Sequence, residues 1–440
     1  MKKAVFISFV VMLAIFSLIY FLAFQPLLQI LNGYSAKRIC SSHFIADRNL
    51  KDIEKQDLAY PASWCSGEID IENKLAHSSI LGLSKRTAVY RPGFGCTLKP
   101  HNNSLRPTTN LPPTKASERF WPYGNIIRDT IYSSVNKSQL DEVISEAFGT
   151  ADKTRAVIVA KAGNIIAEKY EQGFDKDTEL LGWSMTKSIT NNLVGILVKQ
   201  GKLSPDQSNL LEVWNDERAN ITLENLLTMG SDLEWNEEYG YLSDVTRMLY
   251  LTDDASNYAI NKNIRQQIGT TYVYSSGTTN IISKLIKNQF ETEEAYLKFP
   301  HEALFRKLGI DATMELDGDN NYIMSSYAYM TARDWAKLGQ FWLQDGNWMG
   351  EQILPPGWMD YSTTSGIGIN GIYGAHFWLN SDSFLYHDVP PDMFASRGFQ
   401  GQQVVVIPSM ELVIVRFGVD EGIETFDYNK FLSSIIATIK

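Results

Sequence analysis

The sequence predicts an α/β protein of the α+β kind, with one mostly antiparallel sheet formed by both ends of a domain, flanked by helices, and a helical insert between them. RAVIVAKAGNIIAEKY (155–170) is two apolar runs split by Ala162-Gly163-Asn164, a hairpin signal. QQVVVIPSMELVIVRFG (402–418) is a second hairpin, split at Pro408-Ser409-Met410. Most of the chain between them has helical periodicity. Strands at both ends with helices between are not a βαβ alternation, so a parallel sheet is not expected.

The elements follow in order. Residues 4–24, AVFISFVVMLAIFSLIYFLAF, carry no charge and sit behind Lys2 and Lys3. A helix needs roughly 20 apolar residues to span a bilayer, and a cleaved signal has a shorter run. Residues 1–33 are therefore expected to be an uncleaved signal anchor with a transmembrane helix. The body is then extracytoplasmic (periplasmic if the source is bacterial). Residues 34–98 form a small accessory unit, with a short strand at Val89–Arg91 and a turn at PGFG. It holds all three cysteines, Cys40, Cys65 and Cys96. If the body is exported, Cys40 and Cys96, which bracket the unit, are the expected pair. A proline-rich linker is expected over 99–118, and the main domain over 119–440. Within that domain SITNNLVGILVKQGKL (188–203), ITLENLLTMG (221–230) and TARDWAKLGQFWLQDG (331–346) read as helices, the last two ending in glycine.

Composition narrows the function. The chain is 44% hydrophobic and 20% charged, with net charge −10. Nucleic acid is not an expected partner, because phosphate binding needs a basic face. No HExxH or other metal-ligand spacing occurs, so no metal or cofactor is called for. No Gly-x-Ser-x-Gly elbow occurs either, which argues against a Ser-His-Asp hydrolase. His376 and His387 lack a motif and read as packing or surface residues.

The chemistry candidate is LGWSMTKSIT (181–190). Ser184 sits where an apolar run meets a helical pattern, and Lys187 follows at i+3, on the same helical face. A serine hydroxyl is a weak nucleophile until a base takes its proton, and a desolvated lysine can be that base. The plain alternative is a helix cap. Ser-x-x-Lys also occurs by chance, as Ser134-Val-Asn-Lys137 in a polar stretch shows. Two other segments change the balance. GTTYVYSSGTTN (269–280) brings Tyr274, Ser275 and Ser276 to the mouth of a helix, where a phenol could join a proton network; alone it reads as a packed turn. SRGFQGQ (396–402) runs into a strand, where Gly398 lets backbone approach a ligand and supply oxyanion donors; alone it is a bend.

Together these segments resemble the serine β-lactamase and penicillin-recognising superfamily, with its Ser-x-x-Lys, Tyr-x-Asn and Lys-Thr-Gly motifs. The class C-type branch, with esterases and 6-aminohexanoate-dimer hydrolases, is the nearest. ITLENLLTMGSDLEW (221–235) and SSYAYMTARDWAKLGQFWLQDGNW (325–348) fall in the expected order after Ser184. The resemblance covers about residues 120–440. It implies a β-lactamase-like fold and a serine hydrolase that cleaves an ester or linear amide through an acyl-enzyme. Ser184 would be the nucleophile, Lys187 its base and Tyr274 the second acid/base. The backbone N–H groups of Ser184 and of Phe399, after Gly398, would form the oxyanion hole. Two positions depart from the pattern. Ser276 stands where Asn is usual, and Ser396-Arg397-Gly398 replaces Lys-Thr-Gly. The missing lysine normally grips a β-lactam carboxylate, so esters or linear amides are expected over β-lactams, with Arg397 as a substitute cation if it faces the cleft. The alternatives are a penicillin-binding-like D-Ala-D-Ala carboxypeptidase or β-lactamase-like enzyme, or a non-catalytic binding protein. The expected partner is a small-molecule ester or amide, with membrane contact through the N-terminal helix.

Overall fold

The computed structural model describes all of the chain except residues 1, 20–23, 59–60, 101–103, 112–116, 130–131, 150–152, 241, 367–370, 421–424 and 440. Helix α1 (Lys2–Ile19) and helix α2 (Gln25–Phe44) come first. A four-stranded antiparallel sheet follows, β1 (Ser66–Asp70), β2 (Leu75–Ile80), β3 (Leu83–Arg91) and β4 (Gly95–Leu98) in that order. The hairpin β5 (Thr154–Lys161) and β6 (Asn164–Tyr170) opens the larger sheet. A small sheet joins β7 (Glu179–Leu181), β8 (Thr313–Met314) and β9 (Ala328–Thr331) in the order β7-β9-β8. After the hairpin β10 (Asn347–Trp348) and β11 (Glu351–Gln352), the large sheet is completed by β12 (Trp378–Leu379), β13 (Phe394–Gly398), β14 (Gln402–Ile407) and β15 (Leu412–Gly418). Its order is β12-β13-β14-β15-β5-β6, and every pair is antiparallel. The last strand, β15, therefore pairs with the first, β5, and the two ends of the domain close one sheet.

The reason lies in the residues. Successive strand side chains face opposite ways, and both faces here are apolar. Ala156, Ile158, Val413 and Val415 pack into the main core with Trp335 and Leu338 of the helix Ala332–Leu343. Val157, Val159, Ile414 and Val405 pack on the other face against Leu140 and Leu432, from the helices Lys137–Glu146 and Tyr428–Ala437. A sheet covered on both sides needs unbroken apolar runs rather than alternation, which is why VVVI and LVIV appear in the sequence.

One expectation fails. The 4–24 membrane-spanning helix is not supported: among the described residues no helix is long and apolar enough to cross a membrane. α1 has 18 residues and begins with Lys2 and Lys3. The 16 described residues that follow these lysines (18 − 2) rise about 24 Å, short of a hydrocarbon core of roughly 30 Å. Residues 20–23 lie outside the described residues, and α2 beyond them belongs to the globular body. The expected membrane contact through this helix falls with it.

α2 also runs across the boundary placed at residue 33. It packs on the small sheet through Ala36, Ile39 and Cys40, with Cys40 bonded to Cys96 and Cys65 a buried free thiol. Buried charges fasten it to the larger domain. Lys37 Nζ lies 2.6 Å from Glu315. Asp57, fully buried, pairs with Arg38, Arg48 and Arg155 at the start of β5. Burial alone would raise the Asp57 carboxyl, but these guanidiniums outweigh it and hold it well below the carboxylate range.

Candidate active site

Ser184 stands in a 3-10 turn, Trp183–Met185, that feeds the helix Thr186–Lys199. Trp183 before it holds φ +48°, a left-handed value that is strained for a bulky residue. Such strain, on the order of 1–3 kcal/mol, persists only where packing enforces it. Here β13 does so: a Cβ on Gly398 would sit 2.1 Å from the Gly182 carbonyl oxygen, so only glycine lets the strand end approach the turn. Phe399, next along, places its ring 5.7 Å from Trp183.

The helix brings Lys187 under the serine. Lys187 is 1% exposed, and its ammonium donates to Ser184 Oγ at 3.1 Å, Ser276 Oγ at 3.1 Å and the Ser325 carbonyl at 3.0 Å. Burial pushes its pKa down to about 8, against an opposing pull from Glu237. Tyr274 completes the cluster. The Lys187 ammonium lies 4.9 Å from the centre of its ring, and the Ser184 hydroxyl favours its ionised form. Burial, reinforced by the Glu237 charge, raises the Tyr274 phenol above its ordinary value. The two groups beside Ser184 are thus pushed in opposite directions: the lysine toward the free amine, the tyrosine toward the intact phenol. Diverging environments of this kind are what a base and an acid side by side require.

The structure also places the departures from the motif. Ser276 is the first residue of the helix Ser276–Lys287, beside Lys187. Arg397 lies with its guanidinium 5.0 Å over Trp378, and Trp378 packs on Tyr274 at 5.7 Å. Its charge reaches Tyr274, whose phenol it favours in the ionised direction.

Two residues were missed. Glu237 accepts from Ser276 Oγ at 2.5 Å and from the Ser276 backbone N–H at 2.9 Å. It also accepts from Trp235 Nε1 at 2.5 Å and the Tyr239 hydroxyl at 2.8 Å. Tyr239 lines the same chamber as Ser184 and packs its ring 4.9 Å from Phe399. Both belong to WNEEYG (235–240), a polar loop without periodicity. Its one signal is the aromatic pair flanking a carboxylate.

His376 is buried against the helix that carries Lys187. Its Nδ1 lies 2.9 Å from the Lys187 carbonyl, and burial and the nearby ammonium lower its pKa to about 3. His387 is exposed beside Asp388. Among the described residues no group of acidic, histidine and cysteine side chains could hold a metal ion. A cleft of about 720 Å³ opens beside Phe120 and Met349, but none of these residues lines it.

A two-sided antiparallel sheet closed by both ends of the domain, with Ser-x-x-Lys at a helix start and a tyrosine facing it, defines a class: the serine β-lactamase fold. The β-lactamase family profile matches residues 149–422, and the chain belongs to that family. The 6-aminohexanoate-dimer hydrolase of Paenarthrobacter ureafaciens is 26% identical over 222 residues, 47% of this chain and 56% of that protein. The chain thus matches little more than half the length of this relative. A Bacillus anthracis structure provisionally described as a 6-aminohexanoate-dimer hydrolase shares the fold at TM-score 0.58 and 19% identity, covering 75% of this chain and 90% of that one. A family VIII carboxylesterase does so at TM-score 0.55 and 14% identity, covering 71% and 99%.

Proposed function

We propose that the protein is a serine hydrolase that cleaves an ester or linear amide through an acyl-enzyme at Ser184. The observation that carries this is the buried Lys187 ammonium 3.1 Å from Ser184 Oγ, with its pKa lowered to about 8. The neutral amine takes the Ser184 proton as Oγ bonds to the substrate carbonyl carbon. The carbonyl oxygen becomes an oxyanion, and the N–H groups of Ser184 and Phe399 receive it. As the bond to the leaving alcohol or amine breaks, Tyr274 gives that group a proton, and the proton held by Lys187 replaces it through the shared network. Water then attacks the acyl-Ser184 ester, losing a proton to the same pair, and Ser184 leaves with its proton restored.

Esters and linear amides are favoured over β-lactams, because Arg397 is engaged over Trp378 rather than standing as a Lys-Thr-Gly lysine. The names of the relatives, an amide hydrolase and a carboxylesterase, support the same range. The Cys40–Cys96 bond supports an oxidising, extracytoplasmic compartment for the body.

The test is a fluorophosphonate adduct, found by intact mass and mapped to a peptide, together with turnover of p-nitrophenyl butanoate. An adduct on Ser184 with turnover is the expected result. A protein that binds such esters without adduct or turnover is the non-catalytic alternative.

A further inference from the structure

Ser184 opens into a chamber of about 140 Å³. One wall comes from outside the family-matched residues: Ile30, Leu31 and Tyr34 of α2, with Pro61 and Ala62 behind them. The opposite wall is Trp183, Leu249, Tyr250 and Phe399. Contacts from α2 and from β3 of the same N-terminal unit hold this wall against Trp183 and Tyr250. The Tyr34 ring stacks on Trp183 at 6.3 Å and meets Tyr250 edge-on at 6.0 Å. Gly33 allows close approach, since a Cβ there would lie 3.3 Å from Tyr250 Cβ. Arg86 of β3 donates to the Tyr250 carbonyl at 2.7 Å. Among the described residues, none that lines the chamber carries a charge.

We propose that this chamber holds the substrate's acyl group, and that the N-terminal unit, through α2, sets its size and excludes charge. The acyl group is uncharged, apolar and about as large as benzene, from butanoyl to hexanoyl or benzoyl. This rests on the reading of Ser184 as the acylated serine. Size follows from volume: an apolar cavity of roughly 150 Å³ takes one benzene. The exclusion of charge follows from desolvation, because an ammonium or carboxylate at the end of the acyl chain would be buried with no opposite charge among the described lining residues, only the neutral side chains of Tyr239, Thr246, Ser326 and Gln400. A 6-aminohexanoyl group, of the right length but ending in an ammonium, is therefore a poor fit here.

The full chain is tested with p-nitrophenyl esters from acetate to decanoate, and with the hexanoate beside its 6-amino analogue. The expected kcat/KM peaks between butanoate and hexanoate, falls about tenfold or more at decanoate, and favours hexanoate over the amino analogue by about tenfold or more. Leu31→Trp moves the peak to acetate, and Leu31→Ala moves it to longer chains. A flat profile, equal use of the amino ester, or a peak unmoved by both Leu31 variants overturns the proposal. A second arm does not need the nucleophile. Calorimetry of n-hexanol with the Ser184→Ala protein should detect binding that Leu31→Trp removes. Absence of binding overturns the chamber, whereas absence of any adduct or turnover while hexanol still binds overturns only the role of Ser184.

Discussion

The chain contains two copies of Ser-x-x-Lys, and the fold treats them oppositely. Lys187 is 1% exposed, surrounded by Ser184, Ser276 and the Ser325 carbonyl. Lys137 opens the surface helix Lys137–Glu146, is 56% exposed, and pairs with Asp141 one turn along. Spacing is identical in both, so spacing does not make a base. Desolvation does: it disfavours the ammonium, and only the copy that enters the core between two buried helices experiences it.

Breaking each copy gives the largest expected contrast. Ser184→Ala and Lys187→Ala should each lower kcat/KM for p-nitrophenyl butanoate by about 10³-fold or more, with the double variant little worse, because groups that act as a unit do not add. Ser134→Ala and Lys137→Ala should leave it unchanged. Full turnover by Ser184→Ala, or an adduct mapped to Ser134, would reverse the comparison.

Tyr274 has no counterpart at the polar copy. Tyr274→Phe removes one hydroxyl and keeps the ring beside Trp378 and Lys187. The rate should fall by roughly 10²-fold, as for a lost acid/base. The loss should be greater for an amide than for a p-nitrophenyl ester, whose leaving group needs no proton. Equal losses on both substrates would argue for a packing role.

Much of this was legible in the sequence, for physical reasons. The hairpins at 155–170 and 402–418 were visible because a sheet covered on both faces needs long apolar runs, and their pairing as β15 with β5 followed from the topology. Ser184, Lys187 and Tyr274 were visible because each lies where an apolar segment meets a helix start. The strands β1, β2 and most of β3 were not, since SGEID, LAHSSI and LSKRTAVYR are polar on one side and irregular on the other. The 4–24 run was misread because apolar length alone does not make a spanning helix: the described helix, α1, has 16 residues past its two lysines (18 − 2). Glu237 was hidden for a different reason. Its role comes from a loop that carries it to Ser276, 39 residues away in sequence, and no local pattern encodes that contact.

The pH profile separates the copies again. If the free amine of Lys187 is the base, kcat/KM must rise with pH through about 8. The sign follows from the direction of the shift: burial has lowered the pKa from the ordinary lysine value, and the active form lies above it. At pH 7 about one enzyme in ten then holds the neutral amine. A profile flat from pH 6 to 9 would deny Lys187 this role.

Glu237 sharpens the same profile. Its carboxylate accepts from Ser276 Oγ at 2.5 Å, and Ser276 Oγ in turn accepts from Lys187 at 3.1 Å. It does two things at once: it orients the serine that stands where the family has Asn, and its charge pulls the Lys187 pKa upward against burial. Glu237→Gln keeps an acceptor oxygen for Ser276 but removes the charge. The Lys187 pKa should then fall further, and the rising limb of kcat/KM should move to lower pH with the plateau nearly intact. Glu237→Ala removes both. The limb should move the same way, and the plateau should drop by about tenfold, the worth of one hydrogen bond of about 1–1.5 kcal/mol in the transition state. A purely structural glutamate would lower the plateau in both variants and leave the limb where it was. A limb that stays in place in Glu237→Gln would mean that Lys187 does not feel Glu237 as an anion.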